Sequence, residues 1–211
     1  MYEKCIKRLV DIILSGIGIV LLIIPDIIIN IAILIQDGMP THFSQRRYGI
    51  NKTLFNMYKF RSMRNDAPHD VATHLLDDPE KYLTTVGRFI RKTSLDELPQ
   101  VFNIFLGKMS IVGPRPALWN QDDLIELRDK YGANNVRPGL TGWAQVNGRD
   151  ELSLEEKAKY DGEYAKNISF LFDVRIFFMT ILVVLKKKGN IEGGTGTVVK
   201  MRQRAQKNIK N

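Results

Sequence analysis

Apolar positions along the chain form one long unbroken run and several shorter periodic ones. From Leu9 to Ile35 the chain reads LVDIILSGIGIVLLIIPDIIINIAILI. At ~1.5 Å rise per residue, a helix of that length crosses a ~30 Å hydrocarbon core. A cleaved signal peptide fits less well, because the run is too long and lacks a small-residue cleavage site. A buried soluble helix is disfavoured by the continuous Ile/Leu character. Pro25 falls near the middle, with Asp26 and Asn30 after it. Proline removes one backbone donor and crowds the carbonyl four residues back, at Leu21, so a kink is predicted. Lys4, Lys7 and Arg8 precede the run, and Arg46, Arg47, Lys52, Lys59, Arg61 and Arg64 follow it. The positive-inside tendency draws both flanks to the cytoplasmic face. A straight span cannot satisfy that. A helix that enters, bends and returns can, so the re-entrant reading stands ahead of the spanning one.

Beyond the run, residues 42–63 alternate aromatic, apolar and basic side chains around Tyr48-Gly49-Ile50-Asn51, which predicts a short hairpin. Residues 64–79 are polar, contain two prolines and read as a loop. Val86, Phe89 and Ile90 keep helical spacing. Ser94-Leu95-Asp96-Glu97 has the pattern of a capping box opening a helix that runs to Gly107. Residues 120–131 read as an amphipathic helix, 136–149 as a glycine-rich loop and 153–166 as a charged surface helix. Residues 174–185 are apolar but too short to cross a bilayer. They read as a core or interfacial helix, ending in Lys186–Lys188, which can reach anionic headgroups. The expected fold is mixed α/β and mainly helical, with an anchor over 1–36, a small domain over 37–188 and a flexible basic tail over 189–211.

Charge narrows the partners. Among 211 residues, 31 Lys+Arg against 23 Asp+Glu give a formal net charge of +8, which calls for acidic company. Nucleic acid, anionic lipid and phosphorylated small molecules all qualify. Nucleic acid is disfavoured, because no recognised binding motif accompanies the charge and the apolar run is left unexplained. The single cysteine, Cys5, excludes an internal disulfide and any multi-thiolate zinc site. With three scattered histidines, an oxygen-bound hard ion such as Mg²⁺ is the metal to expect.

Four segments carry candidate chemistry. Asp96 and Glu97 are adjacent acids, with Arg88, Arg91 and Lys92 just upstream. Acids at a helix start are commonly dipole caps. Acids beside several cations also suit a Mg²⁺ and diphosphate site in which one carboxylate attacks phosphorus. In Gly113-Pro114-Arg115-Pro116, two prolines bracket an arginine suited to bidentate phosphate binding, or simply build a rigid turn. Lys59-Phe60-Arg61 projects alternate cations from one strand face, whether to phosphate or to solvent. Residues 137–149 (RPGLTGWAQVNGR) combine glycines, an indole, amides and two arginines, either for a nucleotide or sugar or for structure.

Together KFRSM, RKTSLDELPQ, MSIVGPRP and RPGLTGWAQVNGR, in this order, closely resemble the small monotopic phosphoglycosyl transferases, bacterial sugar transferases that begin glycan assembly on polyprenol phosphate. The likeness runs from about Lys7 to Lys188. It implies a re-entrant membrane helix in the bacterial inner membrane with the catalytic domain on the cytoplasmic face. It also implies Mg²⁺ as cofactor, held by Asp96 and Glu97, and UDP-sugar and undecaprenyl phosphate as substrates. Asp96 would attack the β-phosphate to form a covalent sugar-phosphate ester and release UMP. Glu97 would assist through the metal or through charge. Arg91, Arg115, Lys59 and Arg149 would hold phosphate, nucleotide or sugar. An N-acetylated amino sugar is the donor expected of the short form. Homodimerisation is left open. The family carries a serine before the helix-breaking proline, where this chain has Ile24. A catalytically silent membrane scaffold is the competing reading; the intact acidic pair speaks against it.

Overall fold

The computed structural model describes residues 2–68, 78–148 and 151–186. A π-helical turn, Tyr2–Ile6, leads into α1 (Lys7–Asp37), which stays helical through Pro25. At ~1.5 Å per residue its 31 residues extend roughly 46 Å. It is long and apolar enough to cross a membrane, and only 11% of its most apolar 18-residue window is buried. Both ends nevertheless pack on the same domain. Near the start, Arg8 donates to the carbonyls of Ile104 and Phe105, each at 2.7 Å. Near the end, Ile29 and Ile33 are buried with Phe60 and Ile90. Each such isoleucine contributes roughly 1.5–3 kcal/mol relative to exposure. Asn30 Nδ2 donates to the Asp26 carbonyl and carboxylate, both at 2.9 Å, rather than to the Leu21 carbonyl.

The predicted hairpin is present. β1 (His42–Tyr48) pairs antiparallel with β2 (Leu54–Phe60), closing at Tyr48↔Leu54. Its turn places Asn51 and Lys52 at positive φ. α2 (Thr85–Lys92) follows, then a 3₁₀ turn Leu95–Glu97 and α3 (Gln100–Phe105). The stretch read as a 136–149 loop holds more order than expected. β4 (Gly139–Thr141) pairs parallel with β3 (Ser110–Val112), and α5 (Trp143–Val146) follows it. Three-residue strands carry too little periodicity to be read from sequence. Their glycines supply the missing signal: a Cβ on Gly139 would overlap the backbone of Gly113, so the two segments approach to a distance only glycine permits.

α4 (Asp122–Tyr131), α6 (Leu154–Lys166) and α7 (Phe170–Lys186) complete the domain. α6 opens on a full capping box between Ser153 and Glu156. α7 buries Asp173 and Ile176 but exposes Phe177, Phe178, Ile181, Leu182 and Leu185, an outward apolar face suited to an interface. The 189–211 tail, Lys187 and Lys188 lie outside the described residues, as do positions 69–77 of the predicted loop.

Candidate active site

Strand periodicity sets the first component. Phe55 and Met57 on β2 are buried, and Lys59 continues the same face by the two-residue repeat. The outer edge of β2 is closed by a side chain instead of a strand. Asn103 of α3 accepts from Tyr58 N–H at 3.0 Å and donates to the Asn56 carbonyl at 2.8 Å. This clamp fixes α3 beside β2 and brings the preceding 3₁₀ turn opposite Lys59. Leu95 and Leu98, on either side of the acids, pack against the cluster formed by Phe60, Ile90, Ile29 and Ile33. The cluster that α1 shares with β2 and α2 thus also anchors the segment that carries the acids.

Glu97 Oε1 accepts from Lys59 Nζ and from Arg115 Nη2, both at 2.8 Å. Lys59 Nζ also lies 3.8 Å from Asp96 Oδ2. Asp96 is 2% exposed. Burial pushes the Glu97 pKa up, but the charges of Arg115 and Lys59, and the hydrogen bonds they donate, outweigh it and hold the carboxyl far below the usual carboxylate range. Glu97 is therefore a fixed anion, already committed to two cations. The two acids and two cations balance, so these four side chains alone offer a diphosphate no net positive charge.

Other expectations are corrected here. Ser94 forms no capping box; it sits at φ 58° in the left-handed region and makes no side-chain cap bond. Its N–H instead closes the end of α2 on the Arg91 carbonyl at 3.0 Å, and regular helix resumes only at Gln100. The Glu97 side chain is drawn to Lys59 and Arg115 rather than back to the Ser94 backbone. Lys59 and Arg61 do not share a face. β2 ends at Phe60, and Arg61 turns under α1, donating to the carbonyls of Asp37 (2.9 Å) and Gly38 (2.8 Å). It closes the negative end of that helix. Of the two readings left open for residues 137–149, the structural one holds for Trp143, a core residue. It packs with Val112, Tyr164 and Ile176, and its indole donates to Glu163 at 2.9 Å. Arg91 is partly buried in the last turn of α2, and Arg149 lies outside the described residues.

Residues that local patterns did not single out support the site. Arg128 and Asp161 form a buried ion pair at 2.6 Å, and Arg128 also donates to the Arg115 carbonyl at 2.9 Å. The available signal was an arginine one turn after buried Leu124, on the inward face of an amphipathic helix.

Among the described residues, no group of three or more His, Cys, Asp or Glu side chains is placed to hold a metal. Mg²⁺ commonly takes one or two carboxylates and completes its shell with substrate phosphate and water. Asp96 and Glu97, both within reach of the same Lys59 ammonium, would offer two carboxylates for that mode. A full protein cage is not formed by the described residues.

Two adjacent acids, Asp96 buried and Glu97 half-buried, thus meet two cations drawn from β2 and the Pro-Arg-Pro loop. The chain belongs to the bacterial sugar transferase family, whose model matches residues 2–187. It is 42% identical over 166 residues to an uncharacterized sugar transferase, EpsL, of Bacillus subtilis, covering 77% of this chain and 79% of that one. It is 41% identical over 190 residues to the UDP-glucose:undecaprenyl-phosphate glucose-1-phosphate transferase of Escherichia coli. It is 37% identical over 202 residues to the undecaprenyl-phosphate galactose phosphotransferase of Salmonella typhimurium. Those matches cover 85% and 89% of this chain but only 40% and 42% of the two longer relatives.

Proposed function

We propose that this protein transfers a sugar 1-phosphate from a UDP-sugar to undecaprenyl phosphate through a covalent intermediate on Asp96. The observation that carries the proposal is the division of labour in the acidic pair. Glu97 is tied at one oxygen to both Lys59 and Arg115, while its neighbour Asp96 is almost wholly buried beside the same ammonium. In the first half-reaction an Asp96 carboxylate oxygen attacks the β-phosphorus. The bond from that phosphorus to the bridging oxygen breaks, and UMP leaves with the electron pair. In the second, an oxygen of the lipid phosphate attacks the same phosphorus and the carboxylate is released. Lys59 and Arg115 are placed to offset charge on the transferring group; Arg91, at the end of α2, is carried as a third phosphate-binding residue on the family motif. Positioning and charge neutralisation are what phosphoryl transfer chiefly demands.

Asp96 and Glu97 are the residues that would hold Mg²⁺ arriving with the diphosphate, and the ion would supply the positive charge that the balanced four-residue cluster lacks. The donor is a UDP-sugar. The family resemblance leads us to expect an N-acetylated amino sugar, whereas two relatives are named for glucose and galactose, so all three donors belong in the test. Family membership supports a bacterial membrane setting, and the basic residues on both flanks of α1 support placing the domain on the cytoplasmic face. A re-entrant α1 is supported by the contacts of both its ends with one domain.

The test is UMP release by purified protein with Mg²⁺, lipid acceptor and a panel of UDP-glucose, UDP-galactose and UDP-N-acetylglucosamine. Release with one donor supports the proposal. No release across a broadened panel favours the silent scaffold.

A further inference from the structure

The segment that carries Arg115 is held almost entirely through its carbonyls. Pro114 and Pro116 have no N–H to donate, so the Pro-Arg-Pro backbone lacks two of its usual handles. Four successive carbonyls are each engaged. The Pro114 carbonyl accepts from Gly139 N–H at 2.9 Å, that of Pro116 from Arg47 Nη1 at 3.0 Å and that of Ala117 from Tyr48 N–H at 2.9 Å. The Arg115 carbonyl accepts from Arg128 Nη2, also at 2.9 Å. That same nitrogen donates to Asp161 Oδ2 at 2.6 Å, and Arg128 Nε donates to the same oxygen at 2.9 Å. Asp161 is 2% exposed and Arg128 6%, so the guanidinium has one orientation, bridging α4 and α6 to the loop.

A buried ion pair contributes little net stability compared with a well-packed apolar pair of similar volume. Stability alone therefore does not account for charges at these two positions. An apolar pair could pack α4 on α6, but it could not donate to the Arg115 carbonyl. We infer that Arg128, oriented by Asp161, is a positioning residue that aims the Arg115 side chain at Glu97 and, on the function proposed above, at the donor diphosphate. Asp161, Arg128, Arg115 and Glu97 form a continuous chain of contacts from the centre of α6 to the acidic pair. Loss of the carbonyl contact lets the Pro-Arg-Pro loop drift, and a small displacement of a charge clamp is costly in phosphoryl transfer.

Arg128→Lys is the discriminating variant. It keeps a cation for Asp161, but a lysine lacks the fork needed to bond both Asp161 and the Arg115 carbonyl. Asp161→Asn loosens the same fork from its other side. Each is expected to lower kcat/KM for the UDP-sugar about tenfold, the scale of one charge-assisted hydrogen bond. In an Arg115→Ala background the further loss from Arg128→Lys shrinks to less than about twofold, because the group being aimed is gone. A readout apart from turnover is the Arg115 guanidinium NMR signal, restricted in the wild type by its bond to Glu97 and averaged by free rotation in Arg128→Lys. Equal losses in both backgrounds, or a lowered melting temperature with the Arg115 signal unchanged, would show a purely structural pair and overturn the inference. If the wild-type protein releases no UMP, the proposed function fails, and the Arg115 signal alone still decides the positioning role.

Discussion

Lys59 Nζ lies 2.8 Å from Glu97 Oε1 and 3.8 Å from Asp96 Oδ2, so one ammonium serves both acids of the pair. Replacing Lys59 by Met leaves Glu97 with Arg115 alone and removes the cation nearest Asp96. UMP release is expected to fall by about 10²–10³-fold, the range seen when one preorganised electrostatic group is lost. Steady-state UMP assays, with a melting curve to confirm folding, check this; near wild-type rates would remove Lys59 from the site.

Asp96→Asn keeps the volume of the side chain but removes the attacking oxygen anion. Incubated with UDP-sugar and no lipid acceptor, the wild-type protein should gain the mass of one sugar phosphate by intact-mass spectrometry. The variant should gain nothing and release no UMP. An adduct on the Asp96→Asn protein would exclude Asp96 as nucleophile.

Acid should unfasten the site through Glu97. Its folded-state pKa is depressed, chiefly by Arg115 and Lys59 working against burial. Its contribution to stability is therefore fully present above the unfolded value near 4.5 and is lost as pH falls from there toward the folded value. Glu97→Gln removes that dependence. The stability gap between wild type and variant, measured by denaturation in detergent, should be widest at neutral pH and should narrow steadily below about pH 4.5. A gap that stays constant down to about pH 2 contradicts the ion-pair account.

Arg61 stands two residues from Lys59 but has a different task. Its guanidinium, 5% exposed, bonds the Asp37 and Gly38 carbonyls and lies 3.0 Å from the Asp37 carboxylate. Arg61→Met should cost about 3–5 kcal/mol of stability, as expected for breaking a buried charged pair. Turnover per folded molecule should change little. A variant that folds normally but is inactive would move Arg61 into the reactive centre.

Cys5, the single cysteine, is exposed just ahead of α1 and is a native topology probe. With a re-entrant helix, a membrane-impermeant maleimide should leave Cys5 unlabelled in intact cells and label it after permeabilisation. Labelling in intact cells would place the N-terminus outside and make α1 a full span.

Features whose physics is local were legible from residue spacing alone. The apolar run, the hairpin around Gly49 and the amphipathic helices follow from the character of neighbouring residues, and each is present. The four motifs and their order also pointed to the family. What local spacing could not decide is clearest in two near-identical tetrapeptides. Ser94-Leu95-Asp96-Glu97 reads as a capping box and Ser153-Leu154-Glu155-Glu156 only as the start of a charged helix; the two share the same spacing, yet only the second forms the box. Glu156 is at an exposed helix start, where its carboxylate bonds the Ser153 backbone and hydroxyl. Glu97 faces Lys59, 38 residues before it, and Arg115, 18 residues after it. Two charge-assisted bonds in a sheltered site outcompete one backbone cap. The folded chain likewise separated Lys59 from Arg61 by ending β2 between them, and it placed Arg128 behind Arg115. The candidate site residues could be named because the motifs are contiguous. Which distant cation each acid meets could not, because that is decided only once the chain has folded.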